Sequence, residues 1–539
     1  MRPPQGARYG RWVAITALGL LGLGAGGCLP ALAGAAPAVA ITQVEVGGET
    51  LRGLPDPAAA GVVVFKGLPF AAPPVGALRW APPQPPQPRT GIRTATEFAP
   101  GCFQDSYNTD WYRRVGKAFG APPALFQDPP FNEDCLYLNV WTPRLDAAAR
   151  LPVMVWLHGG SNKAGWAYEP NYLGGRLAAA GPVVVVTVPY RLGIFGFFSH
   201  PELQAAGVSP NFGLQDQLAA LQWVQANIAY FGGDPEQVTV FGESAGAKDI
   251  GYLMVSPAAK GLFKRAISQS GGFQLQDTAT WATLANAGTL LGTAVAGAAS
   301  APPTTLQSLR DTSAAVVFAA AKTALPDHDY TPVVDGSTVL STTPVAYAAA
   351  VPYDLLMGSN GAEDYMYESG DVAAFERYLQ QWAPPTAAAL RILAARESVL
   401  RLGHDRVKAF VDNVCPGYLL GAAVQRAGHS AWLYHFTRVR PGPGGQQLLA
   451  YHGAEIPYVF NTHDDWFSSD ATEPLLTRTM MAYWVNFARS GNPNGQGLPA
   501  WPSYDPAAPQ VQQLDAEPGA QSAPNHALCL QLAEHLYGS

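Results

Sequence analysis

At 539 residues the chain could hold several domains, yet no long polar or charged linker divides it, so one sheet enlarged by insertions is the expected build. With 48% hydrophobic and only 14% charged residues it can bury a large core, which excludes a disordered chain. A net charge of −7 argues against nucleic acid or an anionic membrane as partner.

Residues 1–33 read as a signal peptide. Arg2, Arg8 and Arg11 precede an uncharged apolar run from Trp12 to Leu29, and small-x-small cleavage sites follow at Ala31-Leu32-Ala33 and Ala38-Val39-Ala40. The remaining chain, 41–539, is expected to be a single domain, exported to the periplasm or secreted. Ala25-Gly26-Gly27-Cys28 leaves open lipoprotein processing, with a lipid anchor on Cys28. Five glycines between Gly19 and Gly27 disfavour an uncleaved membrane span.

Short apolar runs at Leu151–Leu157, Pro182–Val188, Gln237–Phe241, Asp354–Gly358 and Ala431–Phe436 predict strands of a mostly parallel sheet buried on both faces. Between them, Leu214, Leu218, Leu221, Val224 and Ile228 predict a helix over Gly213–Ala229 that lays one face on the sheet. The Ala-rich segments around 274–345 and 365–411 predict helical cap insertions. The fold class is therefore α/β, a large mostly parallel sheet flanked by helices, with ligands expected at the strand ends.

The strand ending at Phe241 runs into Gly242-Glu243-Ser244-Ala245-Gly246, a Gly-x-Ser-x-Gly turn. Such an elbow exposes the Ser244 hydroxyl at the tip of a sheet, and the two glycines remove the β-carbons that would collide there. A serine hydroxyl needs a base, and the base needs an orienting acid. The order Ser, acid, His is met by Glu363, in a Gly/Asn turn after Asp354–Gly358, and by His452. Asp364 is the rival acid. Upstream, His158-Gly159-Gly160-Ser161-Asn162 follows a strand, and such a turn lets backbone N–H groups converge on an oxyanion. The N–H of Ala245 would be a further donor.

These motifs resemble those of the type B carboxylesterases, an α/β-hydrolase family, over nearly the whole chain after its first 40 residues. Phe65-Lys66-Gly67-Leu68-Pro69-Phe70-Ala71, Glu133-Asp134-Cys135-Leu136-Tyr137-Leu138-Asn139-Val140 and Trp484-Val485-Asn486-Phe487-Ala488-Arg489-Ser490-Gly491-Asn492-Pro493 match its blocks. The resemblance implies an α/β-hydrolase fold and a serine esterase with Ser244 as nucleophile, Glu363 as acid and His452 as base. It implies Gly160, Ser161 and Ala245 as the oxyanion donors, and Ser270 as a serine close to the triad. A small-molecule ester is the implied partner, with no metal and no organic cofactor. Non-catalytic adhesion relatives share this fold and stand as the alternative of another class.

Four cysteines follow Cys28, and an even number in an exported chain suggests disulfides, with three pairings possible. The resemblance selects Cys102–Cys135 and leaves Cys415–Cys529. No Cys/His spacing resembles a metal site.

Two departures from the family pattern concern the substrate. Ser161, Asn162 and Lys163 stand where most members carry a third glycine and an aromatic, and Lys248-Asp249 replace a small residue and a serine. Lys163 and Lys248, with Arg113, Arg114 and Lys117, could receive carboxylates of a polycarboxylic ester, as in the fumonisin-degrading members that release tricarballylate. Against this, Lys248 could pair locally with Asp249, Glu243 or Glu363, and an unpaired Glu243 would repel an anion. Neutral esters, cleaved by a lipase or arylesterase, are the alternative substrates.

Overall fold

A computed structural model describes residues 42–271, 280–297, 304–340 and 352–537. The expected signal peptide, Cys28 and parts of the 274–345 segment lie outside the described residues.

The main sheet has eleven strands among the described residues. In chain order they are β1 (Leu54–Pro55), β2 (Val63–Pro69), β3 (Tyr137–Thr142), β4 (Leu151–Leu157), β5 (Val184–Val188), β6 (Gly233–Glu243), β7 (Arg265–Gln269), β8 (Asp354–Asn360), β9 (Ala431–Phe436), β10 (Gln510–Leu514) and β11 (Gly519–Ser522). Across the sheet they run β11-β10-β9-β8-β7-β6-β4-β5-β3-β2-β1. Strands β5, β4, β6, β7, β8, β9 and β10 pair in parallel, and antiparallel strands close both edges.

Alternation explains why β4 is apolar throughout. Val153, Val155 and Leu157 enter one core layer while Met154 and Trp156 enter the other. Each fully buried Val or Leu side chain contributes about 1.5–3 kcal/mol. Of helices α1 (Tyr107–Ala118), α2 (Phe212–Asn227), α3 (Ala245–Met254), α4 (Leu400–Ala409), α5 (Cys415–Arg426), α6 (Glu473–Ser490) and α7 (His526–Tyr537), the four α2, α3, α5 and α6 pack directly on the sheet. The expected apolar face of α2 packs into the first layer, but its polar residues Asp216 and Gln217 are buried too. Asp216 is satisfied by the Arg191 guanidinium at 2.7 Å.

The Cys102–Cys135 and Cys415–Cys529 bridges are both present. The second ties α5 to α7. Helices at Trp281–Ala296, Leu306–Asp311 and Ala314–Ala324, then at Val372–Trp382, Ala387–Ala394 and α4, occupy the described parts of the expected cap segments. A π-helical turn, Phe410–Val414, joins α4 to α5.

Candidate active site

Ser244 sits where β6 breaks into α3, with φ +55° and ψ −122°, outside the comfortable regions for a side-chain-bearing residue. The backbone around it leaves no room for β-carbons. One on Gly246 would stand 2.2 Å from the Leu157 carbonyl oxygen, and one on Gly159 would stand 2.9 Å from Cβ of Ser244. The turn is held by the Ser244 N–H, which donates to the Gln269 carbonyl at 2.9 Å. The position of Ser244 is thus set by backbone packed against β4 and β7.

His452 follows an isolated bridge that pairs Tyr451 with Ala362, next to Glu363. Its Nδ1 lies 2.6 Å from Glu363 Oε2, while Glu363 Oε1 accepts the Asn360 N–H at 2.7 Å. Glu363 is fully buried. Its neighbour Asp364 turns the other way and lines the cavity, its N–H donating to Asp405. Of the two carboxylates, Glu363 is the one that meets the imidazole.

The other imidazole nitrogen, Nε2, lies 3.2 Å from Glu243 Oε1. Burial holds the His452 imidazole down, but the Glu243 charge, then the Glu363 hydrogen bond and charge, raise it well above its ordinary value. Burial pushes the Glu243 carboxyl up to about 8, with His452 pulling it down and Glu455 pushing it up. Glu455 accepts from Gln269 and Asn360, which stand at the ends of β7 and β8. Glu455 lies in the His452 motif, which was the available sequence signal for it.

Ser244, His452 and Glu243 open into one cavity of about 560 Å³, together with Gly160, Ser161 and Ser270. Gly160, Ser161 and Asn162 have φ of 106°, 56° and 53°, and among the described residues the N–H groups of Gly160, Ser161 and Ala245 have no acceptor. Ser270 is buried with φ +52°, and its hydroxyl has no partner among the described residues. His158, by contrast, is lowered to about 4 by burial and stacks on Tyr190, so it is a neutral structural residue.

Two expected pocket residues are placed elsewhere. Left-handed backbone turns Asn162 inward, where it is 2% exposed and donates to Asp249 Oδ1 at 3.1 Å. Lys163 does not line the cavity and stands over the Tyr330 ring, 5.8 Å from its centroid. Arg113 and Arg114 do not line the cavity: the first pairs with Asp110, and the second lies over Tyr367, which does. Lys248 does line the cavity, and among the described residues it forms no ion pair. Asp329, Asp364 and Asp412 share that wall. No group of His, Cys, Asp and Glu among the described residues is arranged to hold a metal.

The chain matches the model of the carboxylesterase family over residues 35–385 and 404–530. It is 36% identical to carboxylesterase 1C of Rattus norvegicus over 511 residues, covering 87% of this chain and 88% of that protein. It is 35% identical to the fumonisin B1 esterase of Sphingopyxis macrogoltabida over 476 residues, covering 82% of each. Among solved structures, a thermophilic PNB esterase superposes with a TM-score of 0.77 at 30% identity, covering 91% of this chain and 99% of that one. A Geobacillus stearothermophilus carboxylesterase gives a TM-score of 0.76 at 31% identity, with coverage of 90% and 99%.

Proposed function

Because the chain belongs to the carboxylesterase family and is a serine carboxylic-ester hydrolase, we propose that Ser244, His452 and Glu363 are its catalytic triad. The observation that carries this is the 2.6 Å contact of His452 with buried Glu363 beside a strained serine that shares its cavity. Ser244 Oγ attacks the ester carbonyl carbon as Nε2 of His452 takes its proton, and the carbonyl π electrons move to the oxygen. Backbone N–H groups of Gly160, Ser161 and Ala245 stabilise that oxyanion. Its collapse expels the alkoxide, which takes the proton from Nε2. Water, deprotonated by the same nitrogen, then releases the acid and restores the hydroxyl. Glu363 holds the ring so that Nδ1 carries a proton throughout. In the resting site Nε2 lies against Glu243 and must close on Ser244, as catalytic hydrogen bonds commonly tighten once substrate is bound.

Titration with an organophosphorus ester tests this reading. One equivalent should label the wild type at Ser244, and Ser244→Ala should take up none. Label elsewhere, or activity retained in Ser244→Ala, overturns it.

A second reading concerns the acyl group. Lys248 is a cation in the cavity without an ion pair among the described residues, and one relative is named a fumonisin B1 esterase. This favours esters of polycarboxylic acids against the opposing carboxylates of Asp329, Asp364 and Asp412, the last already acted on by the Lys248 charge. Lys248→Met should lower kcat/KM for a tricarballylate ester and spare a simple acetate ester. Equal losses on both remove the reading.

The two disulfides fit an oxidising compartment, and export through the N-terminal segment is part of the same proposal. No described helix is long and apolar enough to cross a membrane.

A further inference from the structure

The loop after β4 and helix α3 are joined through buried side chains. Asn162, in the oxyanion loop, donates through Nδ2 to Oδ1 of Asp249 at 3.1 Å, and Oδ2 of Asp249 accepts from Gln217 Nε2 at 2.6 Å. All three side chains are buried, Asp249 and Gln217 completely. The Asn162 carbonyl also accepts the Gly193 N–H at 2.6 Å, so both ends of this residue are anchored.

The location of these bonds gives them a consequence. Gly160 and Ser161 lie on the loop after β4, whereas Ala245 begins α3, the helix that carries Asp249 four residues later. The three N–H donors therefore belong to two separate pieces of backbone. Ser161 and Asn162 both hold left-handed φ, a conformation that is costly for a residue with a β-carbon and reverts unless something holds it. Asparagine tolerates that region better than most residues, and here its amide is tied to the helix.

We propose that Asn162 and Asp249 are positioning residues that latch the oxyanion loop to the nucleophile helix and set the spacing of the N–H donors. The inference rests on the reading of Gly160, Ser161 and Ala245 as oxyanion donors. The latch holds the left-handed backbone at Ser161 and Asn162 with a fixed buried contact.

The test compares three variants with the wild type, using an ester substrate and its trifluoromethyl ketone analogue, which forms a hemiketal oxyanion on the serine. Asn162→Gly keeps the left-handed backbone and removes the bond; Asp249→Ala removes the acceptor. Both should lower kcat by about 10- to 100-fold with KM within about twofold, and weaken the ketone in the same proportion. Asp249→Asn should stay within about threefold, because its oxygen can accept from Gln217 while its amide donates to Asn162 Oδ1, which has no partner now. If Asp249→Ala does not fold, Asn162→Gly alone decides. Lowered melting temperature with unchanged kcat and unchanged ketone affinity overturns the latch. Failure of the ketone to bind the wild type at Ser244 would instead overturn the underlying site assignment.

Discussion

Nε2 of His452 rests 3.2 Å from Oε1 of Glu243, the residue immediately before the nucleophile. The imidazole is the base of the proposed mechanism, so it must be neutral to act, and a nearby carboxylate favours its charged form. Activity should therefore fall as pH drops through a point above the ordinary histidine value. Glu243→Gln removes the charge, so the acid limb of kcat/KM against pH should move to lower pH. An unmoved limb, measured on a neutral ester, would show that Glu243 does not set the proton affinity of the base.

The oxyanion loop supplies a second prediction. A β-carbon on Gly160 would meet the Ala164 carbonyl oxygen at 2.2 Å with φ at +106°. Gly160→Ala should lower stability by about 1–3 kcal/mol and reduce kcat on the order of 100-fold. Thermal unfolding and initial rates at saturating substrate check both parts.

The Cys415–Cys529 bridge closes a span of 114 residues between α5 and α7. Replacing both cysteines by alanine should cost ~2–4 kcal/mol by denaturant titration. At 25 °C kcat should hold, since neither cysteine lines the catalytic cavity.

Replacing Glu363 by Gln should leave the fold intact and reduce kcat by a factor on the order of 10⁴, because an amide favours the wrong imidazole tautomer. Circular dichroism and the rate of organophosphorus labelling separate loss of fold from loss of orientation.

How much of this was legible in the sequence depended on whether neighbours along the chain were also neighbours in space. Leu151–Leu157 and Ala431–Phe436 were read with the bounds observed, because a short apolar run between turn residues has few other uses in a sheet. Strand β6 starts four residues before the expected Gln237, at Gly233. Its Gly-Asp-Pro start resembles a turn, and the register with β4 shifts between Gly233 and Val238. Asn162 and Lys163 were expected in the pocket because they follow His-Gly-Gly. Their direction depends on left-handed backbone at Ser161 and Asn162, which residue type alone does not announce. The buried partners Asp249 and Gln217 come from two different helices, so no local pattern could join them. Choosing Glu363 over Asp364 likewise needed coordinates, since adjacent carboxylates share every local signal.

The chemistry and the walls around it come from different stretches of chain. Ser244 and Glu363 follow the ends of β6 and β8 and His452 follows a bridge to Ala362, while Asp329, Tyr378 and Asp412 reach the cavity from segments inserted between the strands. Such a division separates inheritance of reactivity from inheritance of taste: exchanging an inserted segment can rewrite which molecules are admitted without disturbing how they are cut.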